Sequence, residues 1–549
     1  MSVLQALARA EAVAGGRAVP GATVLHRRLS ARPLVLAVLT TAGEAGAPLG
    51  ALVGTERDAP RLLVVPQPLD RDLRFAFFAE LAGIMLPLLD AYGERTETEP
   101  ATRNREESQL CSDALQIVVP NAATVEYVRL IGRSTRFLRT SDDPDAAYPV
   151  PAPLPLLGRW LTHYAERART PGSSLLLAMT DLLARHWTTG QSTLEDQHLG
   201  ALLGWIDPPP GTDGAAAAAR AETGRTPDGL LVSPPAGPAT DPRFDNRLLA
   251  PALARFDAAR KAGSGVARAQ AELRRLVESQ LRPVWDDVWH GLDLLRALPE
   301  GAHVEERWKR DRWSFTGHHD RVKAGEPPQP RRDDAIAAAQ KLAGRETAQA
   351  RLSAQEALDD PLAMASRRLS GEAFSGVVRG VEEAFSEGRR PMPRPLVTVK
   401  TDDLPQAEPG ARAFRAVPEA RSAQPAELVS VDRDPEPGAG RDRNPDDGGA
   451  DRSDAADGSG STGASGGRSA AGRLVTVRLT GGMGNGRVPK EGSVPVPGDL
   501  VTFTFFEHEP RGGPSLPDPE ATPWTHGGPP GAAAAVPEAP DPVTAEDHL

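Results

Sequence analysis

Between Glu305 and Lys323 the chain reads EERWKRDRWSFTGHHDRVK, in which Arg307, Lys309, Arg310, Arg312, Arg321 and Lys323 interleave with Trp308, Trp313 and Phe315. Guanidinium and ammonium groups neutralise phosphates, and exposed rings stack on bases. The segment therefore points to contact with single-stranded nucleic acid through Arg307, Trp308, Lys309, Arg310, Arg312, Trp313, Arg321 and Lys323. Glu305, Glu306, Asp311 and Asp320 dilute the charge. The same pattern suits an amphipathic element whose two tryptophans anchor it to a neighbouring helix.

A second polar concentration, HWTTGQSTLEDQH, gathers His186, Thr188, Gln191, Ser192, Glu195, Asp196 and His198. A base, a hydroxyl and a carboxylate within two turns are the parts of a hydrolytic site. Ser192 stands three residues before Glu195, however, which is the spacing of a capping box for the apolar run HLGALLGWI. Trp187 reads as a packing residue, and no G-x-S-x-G elbow occurs. His318-His319-Asp320 reads as a loop pair, because adjacent imidazoles seldom reach one ion and no third histidine stands at a useful spacing. Cys111, the single cysteine, has no basic neighbour to activate it and excludes a cysteine-based metal cage. Asp241 and Asp245 fit a helix start better than a magnesium site. We expect no catalytic residues, no metal and no cofactor.

The glycine-rich LTGGMGNGRVP, residues 479–489, follows a strand-like run but precedes no helix, and no Lys-Ser or Lys-Thr stands behind it. Phosphate cradles need that helix N-terminus, so the stretch reads as a flexible turn, with Asn485-Gly486 a favoured hairpin pair.

The chain has 549 residues and a formal charge of −11. Its length implies several units. Mild acidity argues against a general nucleic-acid coat and leaves room for a local basic patch. Lysine occurs only at 261, 309, 323, 341, 400 and 490, the rest of the positive charge being arginine. This usage is what a GC-rich bacterial genome encodes. No run of about 18 apolar residues and no secretion-like start stand out, so the expected setting is the cytoplasm, away from membranes.

The elements fall into three styles. Residues 32–66 hold the apolar runs RPLVLAVLT, APLGALVG and RLLVVP, which read as strands. A helix follows, with Asp70 as its cap. The grammar of RLLVVPQPLDRDLRFAFF returns in LQIVVPNAATVEYVRLIG, so residues 1–150 are expected to form an α/β layer. Residues 151–365 read as helical, SSLLLAMTDLLARHW included, with the best apolar stripe at 264–298. The helix at 333–359 reads as a connecting arm exposed on most sides. Five short strands then suggest a small barrel or sandwich over 366–432 and 473–509. The segments 433–472 and 510–549 lack large apolar residues and read as a disordered insert and tail.

The C-terminal layout of RRLSGEAFSGVV and PGDLVTFT loosely resembles the small barrel inserted in one group of helicases, although no Walker motif accompanies it. The expectation is a multidomain α+β protein with an N-terminal α/β layer, a central helical region and an interrupted C-terminal barrel. Its expected role is non-enzymatic: an accessory or adaptor protein of a nucleic-acid-processing complex. The expected partners are a helicase or nuclease, and single-stranded nucleic acid. The alternatives are a protein–protein scaffold and a hydrolase built on residues 186–198.

Overall fold

Apolar runs too short for helices become the strands of one mixed sheet. In the computed structural model, which describes residues 3–101, 106–333, 335–387, 389–418, 420, 422–434 and 472–510, β1 (Leu34–Thr41), β2 (Glu44–Gly54) and β3 (Arg61–Val64) pair antiparallel. On the other side of β1 lie β4 (Ile117–Val119) and β5 (Leu176–Ala178), both parallel to it, giving the order β3-β2-β1-β4-β5. All of β1 except Thr41 is buried. A strand covered on both faces reads as an unbroken apolar run.

Strand periodicity divides β1 between two cores. Leu34, Leu36 and Val38 pack with α1 (Arg71–Gly93), α2 (Ala122–Thr135), α3 (Leu154–Ala168) and α8 (Val304–Lys323). Val35, Ala37 and Leu39 pack with α4 (Met179–His186), α5 (Leu199–Ile206), α6 (Ala250–Ala262) and α7 (Val266–Arg296). Asp70 caps α1, its Oδ1 accepting from the N–H of Asp72 at 3.0 Å and of Leu73 at 3.2 Å. Asn121 caps α2 in the same way. By length and composition α1 could cross a bilayer; here Phe75, Phe78, Leu81, Met85 and Leu89 are buried in the first core. Gly132 and Gly158 let α2 and α3 approach closely: a Cβ on either would lie 2.5 Å from backbone nitrogen of the other helix's segment.

Several expectations need correction. Leu176–Ala178, expected as helix, is the third parallel strand, so residues beyond 150 share one sheet with those before it. A short apolar run cannot be told from helix by periodicity alone. The described residues form two compact units, one ending at Leu362 and the other spanning Ala363–Pro510. Ser192 and Glu195 do form a reciprocal capping box, but on a 3₁₀ turn at Glu195–Gln197. Helix α5 is capped instead by His198, whose Nδ1 accepts from the Ala201 N–H at 3.2 Å. The expected exposed arm, α9 (Ala335–Asp359), buries Leu352, Ala354, Gln355, Glu356 and Ala357. Polar contacts hold it: Arg345 to Glu166 at 2.9 Å, and Asp359 Oδ1 to His303 Nδ1 at 2.5 Å. A weak apolar stripe hid a helix that docks through hydrogen bonds.

The second unit contains a closed six-stranded barrel with the order β6-β7-β10-β9-β8-β11. Its strands are β6 (Ala373–Glu382), β7 (Leu396–Thr401), β8 (Arg412–Arg415), β9 (Gln424–Arg433), β10 (Arg473–Leu479) and β11 (Leu500–Thr504), paired antiparallel throughout. Five of these match the expected strands; β8, RAFR, was missed because two arginines mask its alternation. Phe374, Val397, Val399, Leu428, Val475, Val477 and Phe503 fill the interior. Closure removes the sheet edges that a sandwich would leave. Residues 435–471 and 511–549, which hold nearly all of the expected disordered insert and tail, lie outside the described residues. The borders of that insert meet, the Asp434 N–H donating to Gly472 O at 2.7 Å.

Candidate nucleic-acid interface and polar clusters

Helix α8 carries all eight residues expected to touch nucleic acid, and the fold buries three of them, Arg307, Trp308 and Arg312. Trp308 lies in the first core with Phe315 and donates its Nε1–H to Asp113 Oδ1 at 3.0 Å. Arg307 is buried, donating to Gln355 Oε1 at 2.8 Å and His26 O at 3.0 Å. Loss of solvent pushes its guanidinium down to about 10. Arg312 is buried too and donates to Glu97 Oε1 at 2.6 Å and Ser112 O at 2.9 Å. Lys309 pairs with Glu99 at 2.6 Å, and Arg310 pairs with Glu306. Trp313 is half-buried, whereas Arg321 and Lys323 are exposed in the last turn. The eight do not form one outward face. Their partners Glu97, Glu99 and Asp113 come from a distant stretch around the hairpin of Thr96–Glu99 and Ser108–Cys111, which no local reading of 305–323 includes.

His318 and His319 sit on α8 and not in a loop. The His318 ring stacks on His163 with centroids 4.2 Å apart and planes 6° apart, and Trp160 presents its edge at 4.6 Å. Nε2 of each histidine is buried without a hydrogen-bond partner. Burial pushes His318 down to about 3 and His163 well below its ordinary value, with Arg321 adding repulsion at both. Among the described residues no group of three or more His, Cys, Asp or Glu is placed to hold a metal. Cys111 is buried, which pushes its thiol up.

The 186–198 cluster is dispersed. His186 is buried; its Nδ1 meets Leu182 O at 2.7 Å, and its Nε2 accepts from the His26 N–H at 3.3 Å. Both ring nitrogens are thus engaged, and burial pushes the imidazole down to about 4. Glu195 is bound to Ser192, His198 to α5, and Asp196 to Thr189 Oγ1 at 2.8 Å. A general base needs a free lone pair within reach of its proton, and His186 offers none. Asp241 and Asp245 flank a short helical start, as expected, and Asp245 holds Thr240 Oγ1 at 2.6 Å.

One exposed aromatic–cation arrangement lies on the barrel. The β6–β7 hairpin closes through Ser386 N–H to Met392 O at 2.8 Å and Arg394 N–H to Ala384 O at 2.7 Å. It lifts Phe385 into solvent at 42 % exposure. The guanidinium of Arg487, from the glycine-rich loop, stands 5.5 Å from the centre of that ring. Arg389, Arg390 and Lys490 are exposed on the same two segments, as are Glu383 and Glu387. The loop is a turn, with Gly482 and Gly484 at φ 75° and 87°, where side chains are strained. It is nonetheless pinned. Met483 is buried in the barrel, and Ser493 O accepts from Arg415 at 2.9 Å and from Gln424 at 2.8 Å. Phe385 and Arg487 lie about a hundred residues apart in sequence, so only barrel closure joins them; the run RRPMPR in the hairpin was the available signal.

The fold is thus α+β, a helix-clad mixed sheet and a closed barrel, and an exposed aromatic–cation pair lies on the barrel loops. Compared with known proteins, the chain matches no family model, no curated protein and no solved structure.

Proposed function

We propose that the chain is a non-enzymatic accessory protein of a nucleic-acid-processing complex, meeting single-stranded nucleic acid presented by a helicase or nuclease partner. The contact is the loop end of the barrel. The observation that carries this reading is the exposed Phe385 ring under Arg487, with Arg389, Arg390 and Lys490 exposed on the same two segments alongside Glu383 and Glu387. A ring offers a stacking platform for any base, and the cations follow the backbone. The engagement of Arg307, Lys309, Arg310 and Arg312 within the fold moves the interface away from α8.

Fluorescence anisotropy of a labelled single-stranded oligonucleotide tests this. Phe385→Ala should weaken binding by roughly 1–3 kcal/mol, the worth of one stacked base. Arg487→Glu should weaken it further, while Arg310→Ala should leave it unchanged. Equal affinity of wild type, Phe385→Ala and Arg487→Glu would exclude the barrel loops. The scaffold reading draws on a separate observation, the open edge of the sheet.

A further inference from the structure

Strand β5 ends the sheet, and among the described residues no strand pairs with its outer side. Its pairing with β4 begins with the Ile117 N–H donating to Leu175 O at 2.8 Å. Parallel ladders use alternate residues. Leu175 and Leu177 therefore turn their peptide groups to β4, and those of Leu176 and the N–H of Ala178 point out of the sheet. Among the described residues no group bonds them. Leu176 is 3 % exposed and Ala178 6 %. Buried backbone groups without partners are rare, and a row of them is a template for another strand.

A cavity of about 500 Å³ runs along this edge. Ala122 and Val125 from α2, Leu182 from α4 and Leu352 from α9 wall it. Its charge is uneven. The Arg28 N–H donates to Ser174 Oγ at 3.2 Å, which sets Arg27 beside the start of β5. Arg27 and Arg185 share the single carboxylate of Glu356, and Arg169 on the rim has no partner among the described residues. Asp181, past the end of the strand, carries the opposite sign. The lining sets three guanidiniums against the carboxylates of Glu356, Glu126 and Asp181; Glu126 is already paired with Arg129 at 3.2 Å, so Arg169 is left as the guanidinium with no carboxylate partner among the described residues.

We propose that this groove binds an extended peptide segment of a partner protein. The peptide adds as a sixth strand beside Leu176–Ala178 and sets an acidic side chain against Arg169, Arg27 and Arg185. Main-chain hydrogen bonds supply affinity, and the apolar walls and the arginines select sequence.

A random dodecapeptide phage library panned on the full-length chain tests this, with enriched peptides synthesised and titrated by anisotropy. Ala178→Pro removes an N–H that the protein does not use, at φ −87°, close to what proline adopts. Enriched peptides should combine β-branched residues with an acidic position. Their affinity should fall at least tenfold in Ala178→Pro and severalfold in Arg169→Glu, an exposed site whose variant folds independently of the first. Both variants should retain wild-type oligonucleotide binding, which separates this proposal from the barrel contact. Failure to enrich any peptide, or equal binding of the enriched peptides to wild type and both variants, would overturn it.

Discussion

Asp311→Ala should destabilise the sheet unit by about 3–5 kcal/mol, the cost of removing one partner from a buried, charge-assisted network. Asp311 is fully buried. Its carboxylate accepts from Arg167 at 2.7 Å, from Ser173 Oγ at 2.8 Å and from the Ser174 N–H at 2.6 Å. Alanine leaves a largely buried guanidinium and a buried backbone N–H unpaired, and such groups cost their desolvation in full. Asp311→Asn keeps an acceptor of the same shape and should lose less. Urea unfolding followed by circular dichroism reads both variants. A loss under about 1 kcal/mol for the alanine variant would show that the network contributes little. The damage should also reach the groove, because Ser173 and Ser174 lead into β5. Peptide binding should therefore weaken in Asp311→Ala before global unfolding.

Acid should destabilise the same unit through the His163–His318 stack. The unfolded chain titrates its histidines near pH 6.5. In the fold His318 is pushed down to about 3, and His163 also lies far below 6.5. Between these limits the unfolded state binds more protons than the native state, so stability falls as pH falls from about 6.5 toward 3. Above pH 6.5 the pair is neutral in both states and costs nothing. At 1.36 kcal/mol per unit, the His318 shift corresponds to a loss on the order of 5 kcal/mol once the window is crossed. The packing explains the sign: a proton on either ring meets a second imidazole at 4.2 Å, Trp160 and the charge of Arg321, and among the described residues no carboxylate is bonded to either ring. His318→Gln cannot titrate. Its unfolding free energy, measured at pH 7, 5 and 4, should fall less steeply than that of wild type. Parallel slopes would remove the pair from the acid response.

How far these features can be read from the sequence depends on how local their causes are. Strands β1 to β4 and five barrel strands declare themselves through β-branched runs bounded by Gly and Pro, and Asp70 declares the start of α1 through capping chemistry. Strand β5 does not. Its three residues precede α4 without a break, so helix periodicity absorbs them. The role of α9 was misread because it docks through Gln355, Glu356 and Asp359, polar residues that count against burial in any apolar stripe. Segment 305–323 displays its chemistry openly, but its carboxylate partners lie some two hundred residues away. Charge density was legible; which charges were already neutralised was not. The 186–198 cluster failed for a related reason, since the contacts that occupy His186 come partly from His26. Phe385 and Arg487 belong to different loops, and their meeting is a product of barrel topology.

The most direct measurement is the salt dependence of oligonucleotide binding by the full chain, titrated between about 50 and 200 mM sodium chloride. With Arg389, Arg390, Arg487 and Lys490 each meeting a phosphate, log K should fall linearly with log salt at a slope of about −3, and Arg487→Ala should make that slope shallower by about 0.7. Absence of binding at the lowest salt, or a slope indifferent to every substitution in the two barrel loops, would contradict a nucleic-acid contact on this barrel.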